Sequence, residues 1–231
     1  MIDIIILASE PGGGKTYHAE GWEDPILLWD AENPRAQDTK DTWYPEKMIT
    51  IVPLLQRVNH KRDYYQSYLT LKKNVDELLK LKSVDFLTIV VDGISDIRNK
   101  YAKAKWFHDH PNRKNPMPEE YTEINGTTNG LLEPLIDMAN DCGFNLILTA
   151  QFCDRYGEVE KFENGKKIIS SEKLGREPNY EDWQAYGVNT VIELVYQKPN
   201  YKAICTKSIM GCWEETITDK NLFDVLKNKG I

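Results

Sequence analysis

The sequence predicts an α/β fold: a mainly parallel central sheet flanked by helices, with antiparallel C-terminal strands. Five apolar runs of strand length carry that expectation, at residues 2–8, 26–29, 48–52, 86–91 and 145–150. They are continuous rather than alternating, which suits parallel strands buried on both faces. The segments between them are long enough for crossovers, several with helical periodicity. After residue 188 the pattern changes to short strand-like runs separated by turns.

Taken in order, the first run feeds a glycine-rich stretch from which a helix is expected at Lys15. The third is followed by a helix over 64–82, where Leu71, Val75, Leu78 and Leu79 form an apolar stripe with lysines opposite, the pattern of a surface helix. Another helix is expected over 127–140. Two intervals read as long loops: 103–121, with three prolines and mixed charge, and 154–183. Loops of that length in a compact domain are functional or disordered. "NTVIELVYQ", "YKAICTKS" and "CWEETIT" read as late strands, and "NLFDVLKNKGI" as a short helix.

A chain of 231 residues fits one domain spanning 1–231, carrying those two loops. With 41% hydrophobic and 28% charged residues it has a globular composition, not a disordered one. The net charge of -7 argues against a uniformly basic nucleic-acid-binding surface, so any such contact needs a local segment. No apolar run approaches the roughly 18 residues of a membrane span, and "MIDIIILA" lacks the basic start of a signal peptide. A cytoplasmic protein with no membrane partner is expected. Cys142, Cys153, Cys205 and Cys212 lack CxxC spacing and read as reduced thiols. "HDH" at 108–110 reads as a polar loop rather than a metal site.

The chemistry begins at "ASEPGGGKT", residues 8–16. A phosphate-binding loop has Gly, four residues, then Gly-Lys-Ser/Thr, and works because backbone amides converge on phosphate oxygens at a helix N-terminus. Here Ser9 holds the leading position, and Pro11 removes one amide ahead of the main donors. Gly12, Gly13 and Gly14 permit close approach, Lys15 is placed for the β- and γ-phosphates, and the Thr16 hydroxyl for Mg²⁺. Ser9, Glu10, Pro11, Gly12, Gly13, Gly14, Lys15, Thr16 and Tyr17 are therefore the candidate nucleotide-binding residues.

Three strand ends add to it. "FLTIVVDG" puts Asp92 where a carboxylate holds Mg²⁺ through its water shell. "ILLWDAENP" ends the second strand with Asp30 and Glu32; Glu32 is the favoured base for an attacking water, and Asp30 reads equally as a turn residue. "NLILTAQ" ends the fifth strand with Gln151, whose amide can sense the γ-phosphate and signal to the following segment.

Together "ASEPGGGKT", "LLWDAENP", "TIVVDGISDI" and "ILTAQ" resemble the RecA-like P-loop NTPase core of recombinases and helicases, over roughly residues 2–218. The chain is most similar to phage-encoded single-domain RecA-like proteins, including the Sak group of single-strand annealing proteins. The resemblance implies ATP hydrolysis with Mg²⁺, coupled to single-stranded DNA in recombination, annealing or repair. It also implies a ring or filament with sites at subunit interfaces, a possible single-strand-binding protein as partner, and the cytoplasm of a phage-infected host. The family's separate DNA-binding and C-terminal domains and its polymerisation tail are not recognisable, so annealing or a mediator role is expected over strand exchange by long filaments.

The resemblance also assigns roles in the two long intervals. The DNA-binding candidates are Lys103, Lys105, Trp106, Arg113 and Lys114 in the first and Arg155, Lys166, Lys167 and Arg176 in the second, cations interleaved with aromatics. Lys207 matches the basic residue that touches a neighbouring subunit's γ-phosphate, with Lys202 and Lys198 as rivals. Three alternatives stay open. A small-molecule kinase lacks an evident arginine-rich lid here, a GTPase lacks its Asn/Thr-Lys-x-Asp segment, and an ATP-switched assembly protein would show negligible hydrolysis.

Overall fold

The computed structural model describes residues 3–32, 35–163, 166–178, 187–208, 211–218 and 221–229; within 154–163 and 166–178 only the backbone is described. β1 (Ile4–Ser9), α1 (Lys15–Glu20), β2 (Ile26–Asp30), α2 (Ala36–Trp43) and β3 (Ile49–Pro53) open the chain. A small hairpin, β4 (Gln56–Val58) and β5 (Lys61–Asp63), precedes α3 (Tyr64–Leu78) and β6 (Thr88–Asp92). Next come α4 (Ile94–Asp96), a π-helical turn (Ile97–Ala102), α5 (Lys103–Asp109), a 3-10 turn (Pro118–Glu120) and α6 (Tyr121–Cys142). β7 (Asn145–Glu163), β8 (Lys166–Pro178), β9 (Thr190–Gln197), β10 (Asn200–Ser208), β11 (Trp213–Ile217) and α7 (Leu222–Lys229) complete it.

The main sheet runs β3-β2-β6-β7-β1-β9-β10-β11. Neighbours from β3 to β9 are parallel, and the last two pairings are antiparallel. β8 pairs with β7 alone. This is the expected α/β architecture with its antiparallel C-terminal extension.

The unbroken apolar runs have a direct structural cause. Alternate residues of each central strand point to opposite faces, and here both faces are covered. Ile4, Ile6, Ala8, Leu146 and Leu148 pack with α3 and α6 residues such as Leu71, Val75, Leu132 and Leu135. Ile5, Leu7, Val90 and Ile147 pack on the other side with Ala19, Trp22, Ala36, Leu222 and Leu226. Every position of β1, β2 and β6 is buried, so an unbroken apolar run is what the two covered faces require there.

Two expectations of irregular structure are corrected. The interval 103–121 begins as helix, because α5 continues the helical path after β6 and seats Trp106 with Ala102 and Ile124 in a small core. Its prolines start only at Pro111, beyond the end of α5. The interval 154–183 is not a loop through 178: β7 and β8 form a long antiparallel hairpin, with a register shift at Arg155/Tyr156. Residues 179–186 lie outside the described residues.

Candidate functional site

The carboxyl ends of β1, β6 and β2 stand side by side with residues 149–151 of β7, where its parallel pairing ends. Ser9 is in register with Gln151, Thr149 with Asp92, and Asp92 with Asp30. In open parallel sheets this edge is where ligands bind. It lines a cleft of about 410 Å³ whose walls include Gly12, Gly14, Lys15, Thr16, Tyr17, Glu32, Arg35, Thr39, Asp92 and Gln151.

The loop between β1 and α1 shows how Ser9 is accommodated. Ser9 is fully buried, and its hydroxyl donates to the Glu10 carbonyl at 2.9 Å. Lys15 Nζ donates to Ser9 Oγ at 3.5 Å, so the side chain is folded back along the loop. A Cβ on Gly13 would stand 2.5 Å from Ser9 Oγ, so Ser9 leaves room only for glycine there. Gly14 caps α1 in the left-handed region at φ 80°, a conformation costly for other residues. The first helical amides of α1 then face the cleft without intrahelical acceptors.

A cation-compatible pair of oxygens lies beside them. Thr16 Oγ1 donates to Asp92 Oδ2 at 2.7 Å, and Thr149 Oγ1 donates to Asp92 Oδ1 at 2.5 Å. Thr149 also accepts from the Gly93 amide at 2.8 Å, so one buried hydroxyl fixes both the carboxylate and the turn after β6. Burial pushes the Asp92 carboxyl up and Glu32 adds to the rise, while the bonds from Thr149 and Thr16 and the charge of Lys15 oppose it. A buried carboxylate held at this angle beside a threonine hydroxyl fits a divalent cation, whose charge would reverse that rise.

Glu32 sits beyond β2, its amide donating to Asp30 Oδ1 at 3.1 Å. Its Oε1 accepts from Gln151 Nε2 at 2.9 Å. Gly93 makes room for it: a Cβ there would lie 2.5 Å from Glu32 Cγ, at φ 102°. The backbone N–H of Gln151 donates to Ser95 Oγ at 2.9 Å, tying this part of β7 to α4. Phe152, the next residue, lines a second cavity of about 480 Å³ with Glu10, Pro11, Gly12, Gly13 and Tyr196. Gln151 and Phe152 therefore line cavities that both border the β1–α1 glycine loop.

Sequence reasoning missed the lining residues Arg35 and Thr39, and Thr149 and Ser95, which hold Asp92 and the Gln151 backbone. They carry no local pattern that marks them and reach the site through register and the placement of α2 and α4. Missed too was an aromatic cavity of about 460 Å³ lined by Tyr17, His18, Trp43, Tyr196, Pro199, Tyr201 and Thr218. Tyr17 lines this cavity and the cleft alike, stacked on Tyr44 at 5.4 Å, and Trp43 is 63% exposed.

The remaining candidates fall into three groups. Trp106 is 1% exposed and packs with Ile124, so its ring is withdrawn from any base, correcting its assignment as a stacking residue. On the same segment Lys105 pairs with Asp109 and Arg113 with Glu120, Lys103 lies 6.0 Å from the Tyr121 ring centroid, and Lys114 is exposed. The side chains of Arg155, Lys166, Lys167 and Arg176 lie outside the described residues, although their backbones belong to the β7–β8 hairpin. Lys207 is opposite Val191, whose partner on β1 is Ile6, three residues before Ser9. It is thus two strands and about 10 Å along the sheet from its own loop, on the side away from the cleft. Lys202 pairs with Glu214 at 2.7 Å, and Lys198 lies in the turn at the loop's end of the sheet. His108 and His110 stack on Tyr65 and Trp106, and no cluster of three or more His, Cys, Asp or Glu forms among the described residues. No described helix is long and apolar enough to cross a membrane.

No protein-family model matches the chain, and no curated protein matches it. Among solved structures it is similar to the RadB recombinase, with a TM-score of 0.52 at 14% identity, over 92% of this chain and 86% of that one. The likeness establishes a RecA-like fold.

Proposed function

We propose that this chain binds ATP with Mg²⁺ in the cleft and hydrolyses it in response to single-stranded DNA. The observation that carries the reading is the convergence of Lys15, Thr16, Asp92, Glu32 and Gln151 on one cleft at adjacent strand ends. The α1 amides and Lys15 hold the β- and γ-phosphates. Thr16 and Asp92 hold the metal, which when bound neutralises charge on the phosphates. Glu32 orients water and takes its proton, and Gln151 holds that carboxylate in place. A γ-phosphate oxygen competes with Glu32 for the Gln151 amide, so the start of the β7–β8 hairpin senses which nucleotide is present. Arg35 adds positive charge to the rim, and the aromatic cavity beyond Tyr17 takes the base by stacking.

The RecA-like fold supports action in recombination, annealing or repair, with assembly into a ring or filament. The finer role is that of phage single-domain proteins of the Sak type, cytoplasmic in the infected host and working alongside a single-strand-binding protein. Hydrolysis by wild type and Lys15→Ala, with and without single-stranded DNA at two salt concentrations, tests the reading. DNA-stimulated turnover that vanishes in the variant is expected. Lys15-dependent turnover indifferent to DNA would shift the assignment to a kinase or a protein-directed switch.

A further inference from the structure

A second charged surface lies outside the cleft. Between β3 and α3 the chain leaves the main sheet to make the β4–β5 hairpin, turned by Asn59 and His60 with φ of 50° and 63°. Both turn residues are left-handed, as the twist of a two-residue hairpin requires. All six residues from Arg57 to Arg62 are exposed, so the hairpin brings almost no apolar burial of its own. The register sets Arg57 directly across from Arg62, one pair away from the turn. That is the pair type in which side chains stand closest, about 4.5 Å between Cα atoms, and like charges there are destabilising.

This cationic tip belongs to a chain of net charge -7, and its own carboxylate is committed elsewhere. Asp63 caps α3, accepting from the Gln66 amide at 3.0 Å. Arg62 is drawn toward Tyr64 and Asp96. Arg57 and Lys61 have no ion-pair partner among the described residues. Two residues past the hairpin, Tyr65 stacks beneath the exposed ring of His108, centroids 4.0 Å apart and planes 14° from parallel. Tyr64 approaches Tyr101, whose hydroxyl donates to the Ala31 carbonyl at 2.9 Å, one residue before Glu32.

We propose that the β4–β5 hairpin and the His108–Tyr65 ring pair form a contact site for single-stranded nucleic acid. Arg57, Lys61 and Arg62 hold phosphates, and a phosphate bridging the two arginines offsets their repulsion. The outer face of His108 offers a stacking surface to one base, which a duplex would keep in its own stack. That exposed ring favours a nucleic acid over an acidic peptide, which would use the cations alone. The site rests on the DNA reading above and adds to it the β4–β5 hairpin, to which that reading gave no role, while His108 lies on a segment it already used.

The test is binding of labelled oligothymidine to the full chain across a salt series, for wild type, Arg57→Ala/Lys61→Ala and His108→Ala, with a fluorescent ATP analogue titrated in parallel. The double variant is expected to bind about tenfold more weakly at low salt, with a log-log salt slope shallower by about 1.4, the share of two phosphate contacts. His108→Ala is expected to weaken binding by about fivefold or more at an unchanged slope. Analogue binding stays at the wild-type level throughout. Wild-type affinity and slope in both variants would overturn the site while leaving the DNA reading intact. Failure of wild type itself to bind the oligomer would overturn both. Equal affinity for a duplex of the same length would overturn the single-strand assignment, and unaltered oligomer binding with altered sedimentation would make the hairpin a subunit contact instead.

Discussion

Ser9 and Gly13 constrain each other through direct contact. With a Cβ at residue 13 falling 2.5 Å from Ser9 Oγ and 3.0 Å from the Glu10 carbonyl, Gly13→Ala must shift the loop. It is expected to weaken nucleotide binding by about tenfold, or ~1.4 kcal/mol. Ser9→Gly in the same chain removes the nearer obstacle but not the carbonyl, so part of the affinity returns. Titration of the four proteins of that cycle with a fluorescent ATP analogue checks it, and purely additive effects would contradict the contact. Glu20, at the end of α1, gives a different residue-scale prediction. It is fully buried with no hydrogen-bond partner at either carboxylate oxygen among the described residues. Burial pushes its carboxyl up to about 8, with Asp92 and Asp30 adding to the rise. The unfolded chain ionises this group near its ordinary value while the folded chain keeps it protonated, so folding holds the extra proton in between. Stability from Glu20 is thus lost as pH rises from about 4.5 to about 8. Neighbouring His18 is pushed down to about 4 by burial and acts in the opposite sense, its contribution lost as pH falls from about 6.5 to about 4. The pH series of melting temperature for Glu20→Gln against wild type isolates the first effect. The variant is expected to gain relative stability steadily from pH 5 to pH 8.

At the scale of elements, α3 shows how a local signal can be read and a neighbouring one passed over. Its apolar stripe announced a helix over 64–82, and the structure gives Tyr64–Leu78, begun by the side-chain cap of Asp63. Asp63→Ala leaves that first turn without its acceptor and is expected to cost about 1 kcal/mol, read by denaturant unfolding. The β4–β5 hairpin just before it was not anticipated, because three-residue strands rich in charge have no apolar periodicity to detect. The β7–β8 hairpin did have a usable signal. The dipeptide between its strands is Asn164-Gly165, a pairing strongly associated with two-residue hairpin turns, but the charged residues around it read as a loop. In 103–121 the prolines were weighed over the whole interval, whereas Trp106 anchors the first seven residues as helix by burial that no local pattern reveals.

For the whole molecule, the position of Lys207 decides how it can act. Its register on β10 sets it two strands from the β1–α1 loop and three residues short of Ser9, so the contact proposed for it is with a nucleotide in a neighbouring subunit. Lys207→Ala is expected to leave ATP binding within about twofold and to remove DNA-stimulated turnover. Mixing it with Lys15→Ala is then expected to restore part of that turnover, since some interfaces join an intact loop to an intact Lys207. Absence of rescue at concentrations where the chains co-sediment would reject a role in trans. The sequence by itself determined the α/β class and picked out the β1–α1 glycine loop and the strand-terminal Asp92, Glu32 and Gln151 that share one cleft, because each is written in contiguous residues whose chemistry is local. Tertiary structure alone decided that Thr149 fixes Asp92, that Gln151 holds Glu32, that Arg35 and Thr39 reach the cleft, and that Trp106 is withdrawn. Those relations join residues up to 119 positions apart, as for Gln151 and Glu32. They depend on strand order, helix placement and register, and a one-residue slip in register would turn strand residues such as Asp92, Thr149 and Gln151 to the other face.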